Sequence, residues 1–201
     1  LFENEIDDVV LAGTLTFPKE GNNFPAVVMI SGSGGQDRNE ELLGHKPFLV
    51  ISDYLTKNGI AVLRFDDRGI AQSTGDHSKA TSEDFAKDVL SAVEFLKGRK
   101  EIDKTKIGLI GHSEGGMIAP LVAVQSNDVA FMVMMAGLGI PGDSILYLQG
   151  ELIQRAEGMS EEEIQKSVKT QREIFSIVKN SNDDEKLDKD LRDKFYTEYS
   201  G

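Results

Sequence analysis

The sequence of 201 residues contains no cysteine, no tryptophan and only three histidines. Without cysteine, the chain cannot form a disulfide scaffold, a thiol nucleophile or a cysteine-ligated metal site. No apolar run approaches the roughly 20 residues of a membrane-spanning helix, and no signal peptide is visible. These absences argue against a membrane protein. They leave the compartment open, because a chain without cysteine survives in reducing and oxidising surroundings alike.

Positive charge is also scarce. The chain has 22 Lys and Arg residues against 34 Asp and Glu residues, a formal net charge of −12. Phosphate binding needs clustered Lys and Arg, so we expect no nucleic-acid partner, and the same charge disfavours an anionic membrane surface. The hydrophobic share of 39% and the charged share of 28% are typical of a soluble globular protein, in which the acidity favours solubility.

Continuous apolar runs alternate with stretches of helical periodicity. We predict buried strands at 26–31, 60–65, 107–110 and 130–136, and helices at 47–58, 81–98 and 114–126. An earlier run at 8–17 predicts an antiparallel strand. The alternation predicts an α/β protein with a mostly parallel sheet and flanking helices. Its strand-to-helix loops should meet at one edge of the sheet, where ligands bind.

Two sequence patterns mark the beginnings of helices. Thr81 followed by Asp84, and Ser160 followed by Glu163, each match a capping box. In a capping box the side chains of the first and fourth residues each accept a hydrogen bond from the backbone N–H of the other. Both patterns stand before stretches of helical periodicity, so they predict where two helices start.

The pattern changes from Asp143 onward, where strand-like runs vanish and apolar residues recur at helical spacing in three segments. The break lies near residues 139–142. It predicts two parts, an α/β core over residues 1–142 and a helical part over residues 143–201.

The strongest chemical signal is Gly111-His112-Ser113-Glu114-Gly115, which follows a predicted strand and precedes a predicted helix. A G-x-S-x-G pattern in that context is typical of a nucleophile elbow, a sharp turn that exposes the serine Oγ. The residues two before and two after the serine must be small, and both are glycine here. A glycine-rich turn without chemistry is the alternative. We predict that Ser113 is the nucleophile.

A second glycine-rich segment, Ser31-Gly32-Ser33-Gly34-Gly35, directly follows the first buried strand. An acyl-transfer enzyme needs two backbone N–H donors aimed at one oxygen. We predict that one donor is Glu114 and that the other is Ser33, with Gly34 as second choice. The segment lacks the Gly-Lys-Ser/Thr of a P-loop and does not open a helix as a dinucleotide site would, but a plain flexible loop stays an alternative.

An acidic stretch, Asp66-Asp67-Arg68, follows the second buried strand and should lie at the same edge of the sheet. We expect an Arg–carboxylate pair that holds loops together. No metal site is expected, because adjacent Asp side chains diverge and no histidine-rich ligand set accompanies them.

Six stretches resemble, in this order, a group of bacterial α/β-hydrolase serine esterases of the carboxylesterase type: SGSGGQDRN, GHKPF, RFDDRG, STGD, IGLIGHSEGG and APLVA. The resemblance covers about residues 9–142 and implies an α/β-hydrolase fold in which the helical part is the cap. It also implies that Ser113 attacks an ester carbonyl and that the Ser33 and Glu114 amides bind the oxyanion. The sequence departs from the family at Ile70-Ala71, where a further glycine is common, which affects a loop and not the nucleophile.

The reaction implied by the resemblance is hydrolysis of small-molecule carboxylic esters with small acyl groups through an acyl-enzyme, without a cofactor. A peptidase or amidase is the near alternative, because the same triad serves both reactions. A non-catalytic binding domain that kept the fold is the alternative from a different class.

Hydrolases of this fold carry their triad in the order Ser, Asp or Glu, His. No histidine follows Ser113, since the three are His45, His77 and His112. His112 adjoins the nucleophile and should diverge from its Oγ, and His77 lies in a polar loop. His45 is the candidate base, although its place in the chain order is wrong for the fold. Asp143 is the candidate acid, with a helix N-cap as its alternative role.

We therefore expect a C-terminally truncated hydrolase that lacks the last strands of the sheet, together with the triad Asp and His. Such a chain should be inactive by itself. It would expose the strand at 130–136 as an unpaired edge, so self-association or an accompanying C-terminal piece is expected.

Overall fold

The computed structural model describes residues 1–199, with the side chains of the last helix described as far as Tyr196. The strands are β1 (Phe2–Asn4), β2 (Val9–Leu11), β3 (Gly13–Thr16), β4 (Phe24–Ile30), β5 (Ala61–Phe65), β6 (Ile102–His112) and β7 (Val129–Met135). The helices are α1 (Pro47–Lys57), α2 (Ser82–Lys97), α3 (Gly115–Ala123), α4 (Gly142–Ala156), α5 (Glu161–Asn180) and α6 (Asp184–Tyr199). A short 3₁₀ helix covers His77–Lys79.

Five strands form one sheet in the order β3-β5-β4-β6-β7. Strands β4 to β7 are parallel, and β3 is antiparallel to β5. This confirms the predicted α/β fold with a mostly parallel sheet. The carboxyl ends of β4, β5 and β6 lie at one edge, which brings together the glycine-rich segment, the acidic stretch and the predicted elbow.

The N-terminal strand predicted at 8–17 is in fact two strands. β2 pairs with β1 in a separate hairpin, whereas β3 pairs with β5 in the main sheet. The chain changes partners at Ala12, whose carbonyl accepts from Asp66 N–H (2.9 Å) and whose N–H donates to Ser73 Oγ (2.9 Å). The loop after β5 thus takes the hydrogen bonds that would have continued a strand.

Both predicted capping boxes are formed. The Thr81 hydroxyl accepts from Asp84 N–H while the Asp84 carboxylate accepts from Thr81 N–H, and Ser160 and Glu163 do the same. α2 and α5 begin at the next residue in each case. The prediction is confirmed, because a capping box satisfies backbone donors that the first helical turn leaves without a partner.

The sheet is buried on both faces. Strands β4, β5 and β6 pack with α2 and α3 in one apolar cluster, and with α1 in a second. Along β4, the residues Ala26, Val28 and Ile30 join the first cluster, and Val27 and Met29 join the second. Alternate side chains of a strand point to opposite faces, so a continuous apolar run is what a strand covered on both sides requires.

A buried ion pair ties the N-terminal hairpin to the sheet. Arg68 donates from Nε and Nη2 to the two carboxylate oxygens of Asp88 (2.7 Å each) and from Nη2 to Asp7 (2.9 Å). Asp88 also accepts from Asn4 Nδ2 (2.7 Å). The expected Arg–carboxylate pairing is present, with partners from the β1–β2 turn and α2. Removing one partner would leave a buried charge without compensation.

The chain divides into two compact units, Leu1–Leu138 and a second that begins at Gly139. The first contains the sheet and α1 to α3. In the second, α5 packs against both α4 and α6, and the rings of Tyr147 and Phe175 are 5.3 Å apart. No helix of the described residues is both long and apolar enough to cross a bilayer.

Strand β7 lies at the edge of the sheet. It is hydrogen-bonded to β6 on one side and, among the described strands, to none on the other. Its consecutive side chains Phe131, Met132, Val133 and Met134 are between 42% and 53% exposed. Natural edge strands are usually protected by charges, bulges or a covering element, because their free N–H and C=O groups recruit other strands. This strand carries no charge.

We expect the 201-residue chain to self-associate through this edge as its concentration rises. Val133→Lys puts a charge on the edge and should weaken association, as charged edge strands do. Val124→Lys is the matched control, because Val124 is 82% exposed at the end of α3 and lies outside the strand. Light scattering at several concentrations, with mass spectrometry for co-purifying fragments, measures the effect. A wild-type chain that stays monomeric throughout would contradict the prediction.

Candidate active site

Ser113 lies in the turn between β6 and α3, as the sequence pattern predicts. Its φ angle is +51°, in the left-handed region that residues other than glycine rarely adopt. The Ser113 N–H donates to the Met135 carbonyl (2.9 Å), and its own carbonyl accepts from Gly116 N–H (3.0 Å). The turn is therefore held on one side by β7 and on the other by α3, and these bonds sustain the unfavourable φ.

The two glycines of the motif are required by close backbone contacts. A Cβ on Gly111 would lie 2.1 Å from the Gly115 carbonyl oxygen, and one on Gly115 would lie 2.3 Å from the Ile30 carbonyl oxygen. The obstructing atoms belong to the backbone, so rotation of a side chain could not make room for either Cβ. Strand β6, helix α3 and strand β4 approach this closely only with glycine at both positions.

The glycine-rich segment lies beside Ser113. A Cβ on Gly32 would be 3.3 Å from the Cβ of Ser113, and the residues Gly32, Gly34 and Glu114 line one cavity of about 20 Å³. A cavity of that size holds about one water molecule. The amides of Ser33, Gly34 and Glu114 donate no hydrogen bond within the described part of the chain. Gly34 and Glu114 therefore bring unused N–H donors to this cavity, whereas Ser33, the first choice for the second donor, does not line it.

Glu114 is fixed by two further contacts. Its carbonyl accepts from the N–H groups of Met117 and Ile118, which open α3, and its carboxylate accepts from the Ser82 hydroxyl (2.7 Å). Ser82 is the first residue of α2. The residue after the nucleophile is therefore anchored by both helices, a contact that no sequence pattern signalled.

Carboxylates hold the glycine-rich segment in place. Asp67 closes its two ends, because Oδ1 accepts from the Ser31 hydroxyl (2.6 Å) and Oδ2 accepts from Gln36 N–H (2.8 Å). Burial raises the pKa of Asp67 to about 7, against the effect of these two hydrogen bonds. Asp66 diverges from it and forms a two-point ion pair with Arg38 (2.9 and 2.6 Å). Asp66 and Asp67 thus hold this loop in place, and the sequence did not predict that Asp67 would bond both ends of the glycine-rich segment.

A buried glutamate makes a third such contact. Glu40 is 7% exposed, and its Oε1 lies 2.7 Å from both Gly32 N and His112 Nδ1. The Gly32 amide is therefore already used and differs in this from its neighbours Ser33 and Gly34. The sequence offered no signal for Glu40, which is one of two adjacent glutamates after the segment.

None of the three histidines is hydrogen-bonded to Ser113 Oγ, which has no hydrogen-bond partner among the described residues. His112 turns to Glu40, as its position in the elbow led us to expect. His45 is exposed and lies in a tight turn in which its backbone pairs with Leu42. His77 is half-buried in its loop, where its ring packs against that of Phe85 with the centroids 5.2 Å apart and lines the cavity.

Asp143 lies in the first turn of α4, where the N-cap residue is Pro141. Its carboxylate accepts from Ser144 N–H (2.7 Å) and pairs with Lys179 of α5, which lowers the pKa of Asp143. The alternative role as N-cap is therefore wrong by two positions, although the carboxylate still serves the helix start. No contact between Asp143 and a histidine is present in the described residues.

The glycine contacts lead to a stability prediction. Gly115→Ala should destabilise the fold by about 3 kcal/mol or more, because its Cβ has no space between backbone atoms. Gly139→Ala is the control, since a Cβ there meets no atom within 4 Å. Urea denaturation of the two variants and the wild type measures the difference. Equal stability of the two variants would mean that the strand and helix do not approach as closely as described.

Known proteins resemble this chain in sequence and in fold. A family model for serine aminopeptidases, S33, matches residues 47–195. The esterase EstD of Thermotoga maritima is 32% identical over 152 residues, which are 76% of this chain and 36% of the relative. The chain spans less than half the length of the curated relatives it matches.

Two solved structures share the fold. The α/β hydrolase GrgF of Penicillium sp. sh18 aligns with a TM-score of 0.60 and 22% identity, over 80% of this chain and 55% of that one. Est1E of Butyrivibrio proteoclasticus, solved with ferulic acid bound, gives 0.53 and 27%, over 61% and 47% of the two chains. Since the family model matches well over half of its residues, this chain belongs to the serine aminopeptidase S33 family of α/β hydrolases.

Proposed function

We propose that the protein is a serine hydrolase that cleaves carboxylic esters of small acyl groups through an acyl-enzyme on Ser113. The observation that carries this proposal is the position of Ser113. Its φ of +51° presents it from a strand-to-helix turn, beside a segment in which the Ser33 and Gly34 amides have no acceptor. A hydroxyl presented by such a turn next to unused N–H donors is the arrangement that acyl transfer needs. The name of the relative EstD adds support for an ester substrate.

The chemistry would proceed in two steps. The Ser113 Oγ attacks the ester carbonyl carbon, its proton passes to a general base that the described residues do not place on Oγ, and the carbonyl oxygen becomes an oxyanion. The amides of Glu114 and of Ser33 or Gly34 donate to that oxyanion. The C–O bond to the alcohol then breaks, the alcohol leaves with a proton, and water releases the acid from the acyl-enzyme. No cofactor takes part in these steps.

Helix α3 adds an electrostatic contribution. Its nine residues begin directly after Glu114, so the positive end of the helix dipole lies next to the nucleophile. A negative charge that develops there is stabilised by this end of the helix. The proposed oxyanion site thus combines aligned donors with a favourable field.

The helical second unit fits the proposed role of a cap, a segment that relatives of this type place over the active site. The match of the family model runs through α4 and α5 to residue 195, which supports this role. The proposal concerns the identity of the unit and not its orientation.

A peptidase or amidase is the second candidate, favoured by the aminopeptidase description of the family model. Amide cleavage depends more strongly on proton donation to the leaving group, because an amine leaves poorly unless it is protonated. Both reactions need a base for the Ser113 proton, so the name of the relative EstD is what favours an ester here.

Covalent labelling tests the proposed nucleophile. A fluorophosphonate probe should label Ser113 of the wild-type chain slowly, and Ser113→Ala should abolish the label. Ser91→Ala is a matched control, because Ser91 lies within α2 and its hydroxyl donates to the Lys87 carbonyl of the same helix. Peptide mapping by mass spectrometry locates the adduct. A label on another serine, or an equally labelled Ser113→Ala variant, would overturn the assignment.

The same method separates the two substrate classes. Incubation with p-nitrophenyl acetate should acylate Ser113, more readily than a p-nitrophenyl ester of a long-chain acid does. An aminoacyl p-nitroanilide should leave the protein unmodified. Acylation by the anilide at the rate of the acetate would favour a peptidase. Binding of esters without any acylation would favour a non-catalytic binding domain.

We also expect the 201-residue chain to turn over esters hardly at all. Without a base on Oγ the serine hydroxyl stays neutral and is a weak nucleophile. Loss of a triad member leaves about 10³- to 10⁴-fold catalysis over water, from the oxyanion hole and substrate binding. Steady-state hydrolysis of p-nitrophenyl acetate measures this. Robust turnover that disappears in His45→Ala would make His45 the base and would contradict the expectation.

A further inference from the structure

One oxygen atom connects the two halves of the proposed site. Glu40 Oε1 accepts a hydrogen bond from Gly32 N–H at 2.7 Å and lies 2.7 Å from His112 Nδ1. Gly32 directly precedes Ser33 and Gly34, whose amides are unused, and His112 directly precedes the proposed nucleophile Ser113. A single side chain therefore joins the glycine-rich segment to the turn that contains Ser113.

The contact is specific in its chemistry. The Oε1 atom that accepts from Gly32 N–H has a second lone pair directed to His112, which suits the tautomer with the N–H at Nδ1. Two donors on one oxygen leave that atom satisfied although the residue is only 7% exposed. Charge-assisted hydrogen bonds of this length are among the stronger ones in proteins.

The backbone at this position is unfavourable. Glu40 has a φ of +52°, and glutamate is not among the residues that adopt the left-handed region readily. Its N–H donates to the Asp37 carbonyl (2.9 Å), which holds the turn. Strain of this kind persists where the surrounding structure demands it, and it is concentrated at functional sites.

We propose that Glu40 is a positioning residue, which sets the Ser33–Gly34 amides at the right distance from Ser113 by holding Gly32 against His112. The inference rests on the proposed function. The reach of the Glu40 side chain is what matters here, because Gly32 N–H and His112 Nδ1 need an acceptor oxygen at this distance, and a neutral amide oxygen meets that need as well.

Two variants separate reach from charge. Glu40→Gln keeps the length and an oxygen acceptor but removes the charge. Glu40→Asp keeps the charge but is shorter by one methylene, and aspartate tolerates the left-handed region better than glutamate does. Glu41→Gln and Glu41→Asp are matched controls, because Glu41 is an exposed neighbour whose ion pair with Lys46 (3.2 Å) lies on the surface.

The measurement is fluorophosphonate labelling of Ser113, resolved into the probe affinity and the rate constant of the covalent step. Glu40→Asp should slow the covalent step by about 10²-fold with an unchanged affinity, as loss of an oxyanion donor does. Glu40→Gln and both Glu41 variants should react like the wild type. Thermal melting verifies that every variant is folded.

Other results would overturn either the positioning role of Glu40 or the proposed function. A wild-type rate for a folded Glu40→Asp, or a slow Glu40→Gln beside a normal Glu40→Asp, would overturn the positioning role. A wild-type chain that is never labelled at Ser113 would overturn the proposed function, and this inference with it.

Hydrogen exchange in the wild-type chain tests the contact without any variant. The Gly32 amide should exchange more slowly than the Ser33 and Gly34 amides of the same segment, because only Gly32 N–H has an acceptor. Equal exchange of the three amides would overturn the positioning role, even where Glu40→Asp fails to fold.

Discussion

The contact of backbone with backbone at Gly111 and Gly115 is the constraint on which the candidate site depends. A Cβ on Gly111 would lie 2.1 Å from the Gly115 carbonyl oxygen, so only glycine fits at position 111. The turn between strand and helix takes Ser113 through a positive φ, and Glu114, which precedes α3, lines the same cavity as Gly34. The positions of Ser113 and of these two amides, which we propose as donors, thus depend on this contact.

Around this contact the site is organised by carboxylates that accept N–H and O–H groups. Glu40 and Asp67 hold the glycine-rich segment directly, and Asp66 fixes Arg38 beside it. Negative charges near a developing oxyanion are unfavourable, and these carboxylates lie close to the proposed oxyanion donors. The pKa of Asp67, raised to about 7 by burial, means that a proton neutralises part of that charge near neutral pH.

The first compact unit contains the unused amides, the N-terminus of α3 and the half-buried Ser113, whereas no histidine is hydrogen-bonded to the Ser113 hydroxyl in the described residues. The same unit ends in β7, whose outer edge has no strand partner among the described ones. Ser113 and the unpaired edge strand are neighbours, because the Ser113 N–H donates to the Met135 carbonyl of β7.

The sequence alone determined the parallel strands, the two capping boxes and the strand-to-helix turn at Ser113. These features depend on residues within a few positions of one another, and hydrophobic periodicity and glycine spacing report them directly. Only the tertiary structure decided that the strand at 8–17 breaks at Ala12 and that Glu40 meets Gly32 and His112. Those contacts join residues that are far apart in the chain. An acidic residue is expected at the surface unless the fold buries it beside a hydrogen-bond donor.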